Sequence, residues 1–272
     1  MELYTSVSYE LSERLTKRYS TSFSLSSRLF DGSIRRHIYA IYGLVRIADE
    51  IVDTYRGGDS LERLNNLEAE VARAMESQYS ANPIVHAYAQ TARQFAIDSS
   101  LLTAFFESMR MDIDKKTFTK KQYDEYIYGS AEVIGLMCLS VFVQGEKERY
   151  ESLETGARAL GSAYQKVNFL RDMKSDYEER GRVYFPHVDF HSFDDTHKRA
   201  IEEDIEADFV VARQAIDNLP RVAIKAVRAS YYYYYALFED MKRADAETIK
   251  TRRLRISSPR KIALLAKAVV RS

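Results

Sequence analysis

Apolar residues recur along the chain at the three-to-four-residue spacing of amphipathic helices, and no clean apolar/polar alternation runs between turn residues. The spacing predicts helices over 3–17, 33–55, 60–78, 83–108, 120–144, 149–179, 196–218, 221–243 and 259–271. The four prolines, at 83, 186, 220 and 259, stand where these patterns start or stop. Ser22–Asp31 and Arg180–Phe193 read as loops. The second holds Gly181, Pro186 and the run Asp189–Asp195, and connections of that length inside a compact domain tend to be functional. The expected fold class is all-α, with a single domain over residues 1–272, because no Pro/Gly/Ser-rich or low-complexity stretch divides the pattern.

Two of these helices carry acids where a buried helix should be apolar. Ile38–Tyr55 reads IYAIYGLVRIADEIVDTY, and Arg46, Asp49, Glu50 and Asp53 are its only charged residues, so the helix is mostly buried. Asp49 and Asp53 lie at i and i+4, and Arg46 lies one turn earlier on the same face. A carboxylate pair at this spacing costs an isolated helix about 0.2–0.5 kcal/mol, and burial raises that cost unless a proton or cation compensates. An ion pair with Arg46 would satisfy Asp49 or Glu50 and leave Asp53 facing water; a bound cation is the other answer.

In Gly161–Tyr177, GSAYQKVNFLRDMKSDY, the residues Gln165, Asn168, Asp172 and Asp176 wind one acceptor-rich stripe over about three turns. Tyr164, Val167, Phe169, Leu170 and Met173 take the apolar positions. Oxygen donors without His or Cys suit a hard cation, Mg²⁺ first and Mn²⁺ after it, rather than zinc. Mg²⁺ keeps several waters and takes ligands from substrate phosphates, so two sparse carboxylate sets read as a clamp for a diphosphate. Arg46 and Arg171 sit within a turn of the acids, and guanidinium forks match phosphate oxygens. Such a clamp beside an apolar, tyrosine-rich pocket points to ionisation of an allylic diphosphate, with aromatic faces sheltering the carbocation.

Composition narrows the alternatives. The chain is 46% hydrophobic and has 20 Tyr and 13 Phe, enough for a large core that also encloses a ligand cavity. Its 40 basic and 40 acidic residues balance, which gives no support to nucleic-acid binding. The lone Cys138 excludes an internal disulfide framework and a cysteine zinc site, fits a reducing cytoplasm, and reads as a small buried hydrophobe. Met1–Ser12 lacks a signal-peptide core, and the uncharged stretch Val133–Gly145 is too short to span a bilayer. The expectation is a cytoplasmic protein, soluble or attached peripherally to a membrane, and either monomer or homodimer. The basic run Arg252, Arg253, Arg255, Arg260, Lys261, Lys267 and Arg271 suits an anionic membrane surface and a solvated helix face equally well. Within Tyr231–Tyr235, two or three rings at most can face a cavity. The histidines at 37, 86, 187, 191 and 197 show no metal spacing and are expected at the surface.

Several ordered pieces together resemble the squalene/phytoene synthase family over nearly the whole chain. They are Ser20–Ser24, Ala40–Asp53 (AIYGLVRIADEIVD), Tyr126–Met137 (YIYGSAEVIGLM), Tyr164–Pro186 (YQKVNFLRDMKSDYEERGRVYFP), and RRLRISSPRKIALL near the end. The resemblance implies an isoprenoid-synthase-like helical bundle around a central apolar cavity and a Mg²⁺-dependent prenyltransferase. Asp49 and Asp53 resemble the first aspartate motif and Asn168, Asp172 and Asp176 the second, together binding Mg²⁺ that bridges the diphosphates. It further implies that Gln165 lines the cavity beside them and that Arg46, Arg171, Arg18 and Arg255 contact diphosphate oxygens. Ser22, Phe23, Tyr128 and Tyr184 would border the prenyl chains, with Arg182 and Tyr184 in an active-site flap.

The reaction implied joins two identical prenyl diphosphates head to head through a cyclopropylcarbinyl diphosphate. Geranylgeranyl diphosphate giving phytoene comes first. Farnesyl diphosphate giving dehydrosqualene, presqualene diphosphate or squalene is the alternative. A class I terpene cyclase also combines an aspartate motif with an Asn-led motif, but has Ser or Thr, then Glu, where this chain has Asp172 and Asp176. A non-catalytic assembly factor of the same ancestry would show eroded acidic motifs, and here they are complete.

Overall fold

A computed structural model describes residues 1–270 apart from 56, 115 and 116, and of Thr21, Ser22 and Asp114 the backbone alone. Among the described residues there is no strand, and the all-α expectation holds. In chain order the helices are α1 (Glu2–Tyr19), α2 (Thr21–Ser27), α3 (Gly32–Asp49), α4 (Ser60–Ser77), α5 (Pro83–Gln94), α6 (Ser99–Asp114) and α7 (Lys120–Ile127). They continue with α8 (Val133–Phe142), α9 (Lys147–Arg180), α10 (Asp195–Ile216), α11 (Arg221–Arg243), α12 (Ala246–Thr251) and α13 (Ser258–Val270). Wider π-turns extend α3 over Glu50–Thr54 and join α7 to α8 over Tyr128–Glu132. Single π-turns inside helices are often functional.

The long helix α9 forms the spine, with α10, α8 and α11 packed on it, while α3 packs on α1, α5 and α8. Their apolar faces merge into one large core that includes Ile34, Ile41, Leu44, Val133, Val167, Leu170, Phe209 and Phe238. The π-turn before α8 approaches α9 closely enough to require a glycine: a Cβ on Gly161 would stand 2.6 Å from the carbonyl oxygen of Ala131. At its far end α9 stops on Gly181, whose φ of +63° is the left-handed conformation that glycine adopts without strain.

Three boundaries depart from the periodicity. The helix expected over 83–108 is broken, because Ala96 turns left-handed at φ 48° and Asp98 accepts the Ser100 N–H at 2.8 Å to start α6 afresh. Part of the expected loop Ser22–Asp31 is the helix α2. Its serines have modest helix propensity, but Ser20 caps it by accepting the Phe23 N–H at 3.2 Å, and it packs on α1 and α11. The short α12, absent from the expected elements, is capped by Asp245 and also docks its Ala246 N–H on Asp195 at 2.7 Å.

The apolar stretch Val133–Gly145 continues α7 through the π-turn, so Lys120–Phe142 is one helical run long and apolar enough to cross a membrane by composition. Its most apolar window is 67% buried inside the protein, as befits a core helix. Two histidines expected at the surface, His37 and His86, are fully buried. His37 Nδ1 lies 3.0 Å from Thr91 Oγ1 and 3.2 Å from the Tyr9 hydroxyl, and its Nε2 accepts from Arg36 Nε at 3.2 Å.

Candidate active site

Between α2, α3, α8, α9, α11 and α13 lies a cavity of about 950 Å³. Its apolar wall includes Phe30, Ile38, Ile134, Cys138, Phe142, Leu153, Leu160 and Ile216. Its polar end carries Arg46, Gln165, Asn168, Arg171, Arg253 and Arg255. The volume stands near the top of the ~300–1,000 Å³ range of ligand sites. Stacked aromatic pairs flank that polar end: Phe23 on Tyr42, with centroids 5.0 Å apart, and Tyr164 on Tyr234 at 3.9 Å. Of the tyrosine run, Tyr233 and Tyr234 line the cavity, which fits its helical wrapping.

The carboxylates sit beside these arginines. Arg46 reaches 3.7 Å from Asp49, pairs with Glu50, and lies over the Tyr19 ring at 4.4 Å. Asp53 does not face water alone, because Arg180 of α9 donates to it at 2.6 Å. Asp172 accepts from Arg171 at 2.5 Å and from Arg253 at 2.7 Å. Burial pushes the Asp49 carboxyl up to about 8, helped by the Asp53 charge, in spite of Arg46. Asp176 is pushed up to about 7 by burial and then by Asp172, against the pull of Arg180 and Arg182. Burial, and only then the neighbouring carboxylates, makes these groups reluctant to ionise without a further cation.

Whether a metal suits the site turns on its donors. No three His, Cys, Asp or Glu side chains among the described residues close on a single point as a protein cage. Asn168 Oδ1 is buried and accepts no hydrogen bond, and Arg46 Nε is buried and donates none. An orphaned oxygen acceptor one turn before Asp172, with an orphaned cationic donor lining the same cavity, is the complement of a hard cation carrying an anion. The oxygen donors present would suit a hard cation such as Mg²⁺.

The remaining residues singled out in the sequence fall into two groups. Phe23, Gln165, Arg171 and Arg255 line the cavity. Tyr128, expected beside the prenyl chains, instead lies outside the lining with its ring under Arg158 at 5.2 Å; Ser130, Ala131 and Ile134 form the nearby wall. Arg18 is exposed and absent from the lining, while its neighbours Tyr19 and Ser20 face in. The Ser22 side chain lies outside the described residues. Arg182 and Tyr184 are not on an open flap: they are 5% and 6% exposed and form a buried support. There Arg182 donates to Asp112 Oδ1 at 2.7 Å and to the Asp112 carbonyl at 2.6 Å, and Tyr126 donates to Asp112 Oδ2 at 2.5 Å. The Tyr184 ring is stacked 3.8 Å from Phe169 of α9. Burial pushes Asp112 up to about 6 although Arg182 opposes it.

Sequence reasoning missed Asp112, Arg180 and Arg253. Arg180 stands one turn after Asp176 on α9 and was findable by that spacing. Asp112 carries only a weak local signal, an acid between Met111 and Ile113.

A profile of the squalene/phytoene synthase family matches residues 16–260. The chain belongs to the squalene/phytoene synthase family. With it the chain belongs to the prenyltransferases. Among relatives of the synthase, the phytoene synthase of Arthrospira platensis is 32% identical over 203 residues, covering 70% of this chain and 64% of that enzyme. The 4,4'-diapophytoene synthase of Staphylococcus haemolyticus is 28% identical over 201 residues, 72% of this chain and 68% of that one. The aligned stretch thus spans about two thirds of these relatives' own length. A crystal structure of a dehydrosqualene synthase superposes with a TM-score of 0.82 at 21% identity, covering 98% of this chain and 97% of that one, and so shares the fold.

Proposed function

We propose that this synthase joins two molecules of geranylgeranyl diphosphate head to head to give phytoene, residues 1–272 acting as one prenyl synthase domain. The observation that carries the reading is a large apolar cavity whose polar end holds Arg46 of α3 and Arg171 of α9, each paired with a carboxylate of its own helix, Asp49 and Asp172. Arg46 and Arg171 bind diphosphate oxygens, and Arg253 and Arg255 extend that cationic rim. Asp49, Asp53, Asn168, Asp172 and Asp176 would hold Mg²⁺. When bound, Mg²⁺ supplies Lewis-acid stabilisation of the leaving diphosphate.

The first diphosphate leaves with the electron pair of its C–O bond. The double bond of the second substrate attacks the allylic cation, and loss of one proton closes the cyclopropane. Departure of the second diphosphate, rearrangement and loss of a second proton complete the hydrocarbon without a reductant. The faces of Tyr42, Tyr164 and Tyr234 offer cation–π stabilisation of ~0.5–2 kcal/mol each, and the apolar wall keeps water from the cation. The same reading places the protein in the cytoplasm, in contact with membranes where prenyl chains partition.

Farnesyl diphosphate giving dehydrosqualene is the second reading, favoured by the similarity to the Staphylococcus synthase. Incubating the purified protein with either diphosphate and Mg²⁺, followed by mass spectrometry of the extracted lipid, tests both. Phytoene is the expected product. A thirty-carbon hydrocarbon alone would reverse the substrate choice, and a cyclic product or terpene alcohol would overturn the condensation. Asp172→Ala should abolish turnover with helical content unchanged; an active variant would remove the acidic clamp from the mechanism.

A further inference from the structure

We propose that α13 is a membrane-docking helix that sets the cavity wall against an anionic lipid bilayer. The inference deepens the proposed reaction, whose substrates and product are lipids, and rests on it for its purpose. It rests on the helix itself for its geometry. The inner face of α13 contributes Lys261, Leu264 and Leu265 to the cavity wall. Of the whole helix only Ala268 is buried, so α13 forms a single layer between the prenyl cavity and the outside.

The outer face is not that of a solvated helix. Ile262 is 64% exposed, Val269 43% and Val270 83%, with the exposed alanines 263 and 266 between them. Ile262, Ala266 and Val269 fall at i, i+4 and i+7, one apolar strip along the helix. Charge decides what covers the strip. Downstream of Glu247 the sequence has no acidic residue. Arg252 and Lys267 are exposed beside or on the helix, the Lys267 ammonium over the Tyr232 ring at 4.8 Å, while Arg255 lines the cavity and Arg260 ties the helix to α11 through Asp240. A second copy of α13 laid on this face would bring the exposed Arg252 and Lys267 of each copy together, and Asp240 of α11 is already paired with Arg260. An anionic lipid surface instead attracts each of them and accepts the apolar side chains at the headgroup boundary. An apolar face with a cationic surround is the composition of an interfacial helix, and its position places the wall of a lipid-handling cavity where lipid resides.

Co-sedimentation of the full chain with vesicles tests the assignment. The protein should pellet with vesicles of equal parts phosphatidylcholine and phosphatidylglycerol, bind less in high salt, and bind weakly to phosphatidylcholine alone. Ile262→Asp with Val269→Asp should lower the partition at least about 10-fold, since two side chains that enter the interface become charges of the wrong sign. A control pair on other exposed faces, Leu61→Asp with Val210→Asp, should bind like the parent. A parent protein left in the supernatant with anionic vesicles overturns the proposal. So does undiminished binding of the Ile262/Val269 variant, or a variant that converts a dimer to a monomer in light scattering without losing vesicle binding. None of these readouts involves turnover, so a failure here leaves the condensation chemistry standing, and an inactive protein that still binds vesicles leaves the docking helix standing.

Discussion

Asp49→Asn should make the metal-free protein more stable while destroying its activity. The Asp49 carboxyl is pushed up to about 8 from its ordinary 3.8, first by burial and then by Asp53, with Arg46 3.7 Å away opposing. At pH 7 the folded protein must therefore keep a proton that the unfolded chain has released, which costs stability with a ceiling of about 4 kcal/mol at ~1.36 kcal/mol per unit. About a third of the side chain, 32%, reaches water. Solvent screening reduces the expected penalty to about 1–2 kcal/mol. The folded pKa is the higher one, so between 3.8 and about 8 the folded state holds a proton that the unfolded state has released. Stability from this group is fully present at low pH and is lost as pH rises through that window. Asparagine keeps the shape without the charge. Urea unfolding in a chelator, followed by helical circular dichroism, should show the variant about 1–2 kcal/mol more stable at pH 7, with the gap closing below about pH 4. Turnover should fall to background in the same preparation. A variant that is destabilised, or equally stable at every pH, would refute the claim that burial and the neighbouring Asp53 oppose ionisation of this carboxyl.

Asp112→Asn removes the carboxylate charge that Arg182, its side chain 6% exposed, meets at 2.7 Å and should cost about 3–5 kcal/mol in urea unfolding. Asp112→Leu with Arg182→Met should recover most of that loss, and simple additivity of the two single variants would count against a coupled support. His37 is held down to about 4 by burial and Arg36, against 6.5 ordinarily, so the unfolded state takes up a proton that the folded one refuses between those values. About 3 kcal/mol of stability should therefore disappear on acidification across that window, and His37→Gln should flatten the slope of unfolding free energy against pH. Gly161→Ala places a Cβ 2.6 Å from the Ala131 carbonyl oxygen and should lower stability by about 1–3 kcal/mol; an unchanged midpoint would mean that the seam between α9 and the π-turn before α8 yields freely.

Much of this protein is decided locally. Apolar spacing and the placement of prolines determine most of the helices, since amphipathic faces have to be buried whatever their partner is. The boundaries that escaped were those where tertiary packing overrode weak local preference: the serine-rich α2, and the left-handed Ala96 that breaks the run after α5. The acidic stripes on Ile38–Tyr55 and Gly161–Tyr177 were legible because charged residues on otherwise apolar helices need an explanation wherever the helices end up. Which cations answer those acids was not legible. Arg180 reaches Asp53 and Arg253 reaches Asp172 across 127 and 81 residues, pairings that no spacing in the chain encodes. The same holds for Asp112, which becomes the seat of a buried Arg182–Tyr184–Tyr126 support only when α6, α7 and the segment after α9 converge. Tyr128 shows the converse: its motif is local, but the π-turn that begins at it lies where its ring meets Arg158 rather than the cavity. Sequence by itself thus determines what each helix must bury and which chemistry it carries. Only the folded arrangement decides which charges meet, because that depends on contacts between elements distant along the chain.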